Sequence, residues 1–213
     1  MTFSSRNDDQ EDDLLNQEIL NEREIQAVLQ AGEDPMQLYL HDINRDVLLD
    51  SAQEFSLAIY VQAELQQQLF LGEDGLVDGR AIYRDLRSSW EQVLSDAVRT
   101  RHDPPELDLV LEEAAAMQTE LNLEAGSYTN SYLSNDRWGK DSLWDALASN
   151  LCRFLTDAYM LPRSTLASIR EALDTKDNLP DCEIVHSLPL ADEELRQAAE
   201  RVAANAKQAT HHL

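Results

Sequence analysis

At 213 residues, the chain is long enough for one or two hydrophobic cores, and 43% hydrophobic with 6% aromatic residues excludes a mostly disordered protein. A net charge of −24 works against gripping duplex DNA, which rests on Lys and Arg at the phosphates, and leaves either a plain solvated surface or a basic partner. No apolar run approaches the roughly 20 residues of a membrane span, and the start "MTFSSRNDDQEDDLL" lacks the basic and apolar parts of a signal peptide, so the expected location is cytoplasmic with no membrane partner.

Residues 1–13 read as a disordered acidic leader, after which Asn21 can cap "EREIQAVLQA" with Glu24 three positions on and Gly32 as the stop. Asp34 then offers an N-cap, Pro35 suits the first helical position, and Gln37 stands where a capping-box partner reaches back. In the helix this starts, Met36, Tyr39, Leu40, Ile43 and Val47 fall near one face, and Gln37, His41 and Arg45 recur every four residues on another. Beyond "VLLD", Ser51 and Glu54 form an S-x-x-E capping box, and Phe55, Ala58, Ile59, Leu65 and Leu69 supply an apolar seam. The two helices make a hairpin.

Further on, helical periodicity returns three times: Ile82, Leu86, Trp90, Val93 and Ala97; Leu107, Val110, Ala114, Met117 and Leu121; Leu143, Leu147, Leu151, Phe154 and Tyr159. Pro162 can open another helix through Leu166, Ile169 and Leu173, and "ADEELRQAAERVAANAKQATHHL" is rich in helix formers. The breaks fall at "LGEDGLVDG", "RHDPPE", the polar aromatic loop "AGSYTNSYLSNDRWGK" and "DTKDNLPDCEIVHSLP", and no alternating strand pattern stands out. Trp90 and Trp144 lie on apolar stripes and read as core, whereas Trp138 in its loop can be an exposed contact.

Candidate chemistry is sparse. Cys152 and Cys182 have no CxxC partner and read as buried free thiols. "GEDGLVDG" lacks the spacing of a calcium loop and reads as a turn. His102, His186, His211 and His212 have no metal-ligand spacing, and neither a Ser-His-Asp order nor a glycine-rich phosphate loop occurs. The expectation is a binding protein, with no cofactor, no metal and no catalytic residues.

The series Asp34-Pro35, Leu38-Tyr39-Leu40, Ile43, Leu48-Leu49, Glu54, Leu57-Ala58 and Val61 resembles region 1.2 of primary bacterial sigma factors, the promoter-specificity subunits of RNA polymerase. That family reads roughly "DPVRxYLxxIGxxxLLTxEEEIxLAxxI", and the match is ungapped, keeping apolar, cap and Pro positions together. The resemblance implies that a variable helical insertion follows and that the final "AAERVAANAKQATHHL" runs toward region 2.1, so the chain is a portion of a larger factor. It also implies contact with the non-template discriminator strand, with Met36, Gln37, Tyr39, Leu40 and His41 nearest the bases and Arg45 beside them. Gln37 and His41 stand where the family often has Arg, and Asn44 where it has Gly, which implies weaker DNA contact. Stacking and apolar contact with unpaired bases need little charge. Met36, Tyr39 and Leu40 serve as well as core residues, and His41 as an ordinary polar-face residue.

The expected fold is all-α, a helical hairpin packed with a multi-helix insertion and a C-terminal helix. Its expected divisions are a leader at 1–13, an N-terminal helix and region 1.2 at 14–65, an acidic helical insertion at 66–190, and a helix toward region 2.1 at 191–213. The implied partners are the bacterial RNA polymerase core and, within the holoenzyme, single-stranded discriminator DNA. A different class fits the same residues: an acidic helical adaptor that binds RNA polymerase or another basic protein. A reading frame continuing into region 2 separates the two.

Overall fold

Asp50 sets where the first described helix begins. Its carboxylate accepts from the Gln53 amide at 2.8 Å, and the Gln53 side-chain carbonyl accepts from the Asp50 amide at 2.8 Å, a reciprocal capping box. The box therefore lies one residue earlier than the Ser51 and Glu54 pairing read from the sequence. A carboxylate at the positive end of a helix dipole is a stronger acceptor than a hydroxyl, and Asp50 keeps the extended backbone that an N-cap needs.

The computed structural model describes residues 49–72, 75–119, 126–134, 137–173, 179–180 and 190–212. The chain divides into two units, Met1–Leu48 and Leu49–Leu213, and every described residue belongs to the second. The expected leader, the helix capped by Asn21 and the helix capped by Asp34 lie outside the described residues. Those described form seven α-helices and no β-sheet, an all-α fold. They are α1 (Ser51–Gln67), α2 (Gly79–Thr100), α3 (Leu107–Met117), α4 (Tyr128–Leu133), α5 (Ser142–Met160), α6 (Arg163–Glu171) and α7 (Asp192–His212).

A 3-10 turn, Gln68–Phe70, extends α1 into a tight reversal closed by a single Leu71 to Val77 bridge. Gly75 takes φ 76° there, a left-handed conformation that glycine adopts without a Cβ penalty. Asp78 then caps α2, accepting from the amides of Arg80 and Ala81. Gly79 opens α2 because a Cβ there would come within 2.7 Å of Leu195 and 2.8 Å of Leu190.

The core centres on the α2 and α5 pair, the most extensive packing between elements. Ile82, Leu86, Trp90, Val93 and Ala97 from α2 meet Leu147, Leu151, Phe154 and Ala158 from α5, all buried, as their helical spacing requires. Trp90 and Phe154 pack with ring centres 4.9 Å apart, and Trp90 and Trp144 are core as expected. Leu107, Val110, Ala114 and Met117 bury the inner side of α3, and Leu166 and Ile169 that of α6. Burying each such side chain is worth about 1.5–3 kcal/mol.

Two further expectations change. The polar aromatic loop contains a helix, α4, capped by Ser127 and held by Glu113 of α3, which accepts from Ser127 Oγ at 2.5 Å, the Thr129 amide at 2.9 Å and Thr129 Oγ1 at 2.6 Å. The apolar seam of α1 is also rotated. Leu57, Ile59, Tyr60, Ala63 and Gln66 are buried, whereas Ala58, Leu65 and Leu69 are exposed and Phe55 is half-buried. Having its inner side against α7 and α5 fixes that rotation.

Side chains from distant elements close the C-terminal end of α5. The Gln118 amide donates to the carbonyls of Ala158, Tyr159 and Leu161, and Arg201 of α7 donates to those of Tyr159 and Leu161. Arg163 in turn donates to the Gln118 carbonyl. Cations and donors here satisfy orphan carbonyls at the negative end of the helix dipole.

Candidate functional site

The residues named from the sequence as nearest to DNA, Met36, Gln37, Tyr39, Leu40, His41 and Arg45, all lie outside the described residues. Of the sigma-like series, Leu49, Glu54, Leu57, Ala58 and Val61 are described, and the last four sit on α1. Leu57 is fully buried, Val61 half-buried, and Glu54 and Ala58 exposed. The second half of the series is thus one capped helix whose inward residue joins the core.

The rotation of α1 leaves part of its apolar surface lining a groove of about 680 Å³. Phe55, Ala58 and Ile59 of α1 and Leu69 of the 3-10 turn line it together with Trp138 and Cys152. Trp138 is 49% exposed and Leu69 79% exposed, so apolar surface faces water on both sides. Trp138 is the one tryptophan that the sequence puts in a loop and off the apolar stripes. Its loop is held where Gly139, at φ 73°, donates its amide to Asp145 at 2.7 Å.

Gln62, Asp145 and Ser149 add polar groups to the lining. Gln66 and Arg153 border the groove. Behind them the Gln66 amide donates to Asp157 Oδ1 at 2.7 Å, and Arg153 donates from Nε and Nη2 to Asp85 at 2.7 Å and 2.6 Å. Burial, and then the facing Asp85 carboxylate, pushes the Asp157 carboxyl up to about 9. Burial, with Glu113 adding to it, pushes the Cys152 thiol up to about 12, so it stays protonated at neutral pH. The groove is suited to take up apolar side chains.

Sequence reading missed Asp157 and Gln66. The signal lay in "LCRFLTDAYM", where an acid stands three residues after Phe154 and two before Tyr159, on the buried side of the stripe. A second cluster was also unforeseen: His102, Tyr132 and Trp144 pack edge to face and stacked at 5.1–6.0 Å, with Arg137 over the Trp144 ring at 5.6 Å. The described residues hold no group of three or more His, Cys, Asp or Glu able to bind a metal ion. No described helix is long and apolar enough to cross a membrane.

Comparison with family models, with curated proteins and with solved structures finds no match to this chain.

Proposed function

We propose that the chain carries region 1.2 and the variable insertion of a primary-type sigma factor and acts in transcription initiation by bacterial RNA polymerase. The reading rests on the resemblance over residues 34–61. The observation that most supports it is α1, whose start at the capped Asp50 gives the second half of that series one uninterrupted helix. Of the helices that follow α1, α4, α5 and α7 pack on it directly, as parts of an insertion between region 1.2 and region 2.1 and of the helix beyond it would. In this role residues 34–47 touch the non-template discriminator strand through Met36, Gln37, Tyr39, Leu40 and His41, beside Arg45. The polymerase supplies the charge and the strand opening that a chain of net charge −24 lacks. Function is by binding.

A photo-crosslinking residue in place of Gln37 or His41 tests this, in the natural full-length product assembled with core polymerase on an opened promoter. Crosslinks to the non-template discriminator strand are expected. Crosslinks to polymerase subunits alone would replace this reading with that of an acidic adaptor. The groove between Leu69 and Trp138, on so acidic a chain, favours that second reading.

A further inference from the structure

Helix α5 carries an acid at a position its stripe reserves for apolar residues. Asp157 is 0% exposed, between Thr156 and Ala158, which are equally buried. Its Oδ1 accepts from Gln66 of α1, and its Oδ2 has no donor. Arg153, one turn earlier on the same helix, is the cation that acts on it, but that guanidinium is bonded through two nitrogens to Asp85. The groups acting on Asp157 are therefore the Asp85 carboxylate from α2, the Arg153 guanidinium from α5 and the uncharged Gln66 amide from α1. Two carboxyl groups share one cation, and the cation is committed to the more exposed of them.

An ionised carboxylate in that place would be buried, set against a like charge and dependent on a cation already bonded to another carboxylate, a costly arrangement. A neutral carboxylic acid has none of these costs, and it turns the unpartnered oxygen into a donor. We propose that Asp157 holds a proton in the folded unit and donates it from Oδ2 to the Asp85 carboxylate, making the α2 and α5 seam a proton-dependent joint. One proton then links three helices, from Gln66 of α1 through Asp157 of α5 to Asp85 of α2. Its loss sets two carboxylates against each other across the seam.

The folded state binds this proton up to about pH 9, whereas an unfolded Asp releases it near pH 3.9. Folding therefore takes up one proton between those limits, and its contribution to stability, full below the lower value, is lost as pH rises toward the upper one. Asp157→Asn mimics the neutral acid at every pH, with an amide to donate and a carbonyl to accept.

Urea unfolding of the wild-type chain and of Asp157→Asn, measured from about pH 6 to 10, tests the joint. The folding equilibrium constant of the wild type should fall tenfold per pH unit relative to the variant up to about pH 9, and run parallel beyond it. Identical pH dependence in the two chains would overturn the proposal. Should Asp157→Asn fail to fold, carbon NMR of the wild-type carboxyls gives the answer directly. An Asp157 signal still protonated at neutral pH is expected, and one ionised at pH 6 would overturn it. In Asp85→Asn the Asp157 titration should move to lower pH; an unmoved midpoint would rule out Asp85 as the acceptor.

Discussion

Gln118 does more for the described unit than its polar type suggests. Buried at 2% exposure, it serves three carbonyls at the end of α5, and of these only Tyr159 and Leu161 are also reached by Arg201. Truncation leaves the Ala158 carbonyl without this donor and the other two with one fewer. A buried polar group left unsatisfied costs about 1–3 kcal/mol. Gln118→Ala should therefore lose about 1 kcal/mol in urea unfolding while Arg201 remains. Because the two donors share acceptors, Gln118→Ala with Arg201→Ala should lose more than the sum of the single changes. Strict additivity would show that they act on α5 independently. Arg201 also lies over the Tyr159 ring at 5.5 Å, and burial lowers its pKa, so its removal takes away packing as well as hydrogen bonds.

At the scale of elements, the capping box of α1 separates two residues that the sequence could not. Asp50→Ala should destabilise the unit by about 0.5–2 kcal/mol, whereas Ser51→Ala, at an exposed position inside the helix, should stay within about 0.5 kcal/mol. Equal losses in thermal unfolding would restore Ser51 as the cap. The same contrast explains what was legible. Helices α2, α3, α5 and α6 are legible from their apolar spacing because each buries a stripe, and α7 from its run of strong helix formers. Helix α1 is apolar around most of its circumference, so spacing alone could not choose between the Phe55, Ala58 and Leu65 side and the Leu57, Tyr60 and Ala63 side; packing against α7 and α5 decided it. Helix α4 was missed because its start depends on Glu113, a carboxylate from another helix that no local pattern contains. Of the groove, Trp138 was legible as a polar-loop aromatic, while Asp157 stood in plain view within an apolar stripe. The residues 36–45 expected at DNA lie outside the described residues.

For the molecule as a whole, charge makes the firmest statement. With 41 acidic side chains against 17 Lys and Arg, the isolated chain should show no tight, salt-sensitive binding to double-stranded promoter DNA in a gel-shift or anisotropy titration. Such binding at low salt, weakening steeply as salt rises, would contradict both readings of its function.

The pairing of α1 with α7 also bears on how the chain is made. These helices lie at opposite ends of the described unit yet pack directly together, so this contact closes the largest loop in the fold. As the chain leaves the ribosome, α5 emerges with Gln118 already synthesised, and the α2 and α5 core can form with a cap in place. Within the described unit, the side of α1 that receives α7 stays uncovered by it until α7 is translated. While α2 to α6 are being made, the described unit therefore shows chaperones an apolar surface that α7 later covers.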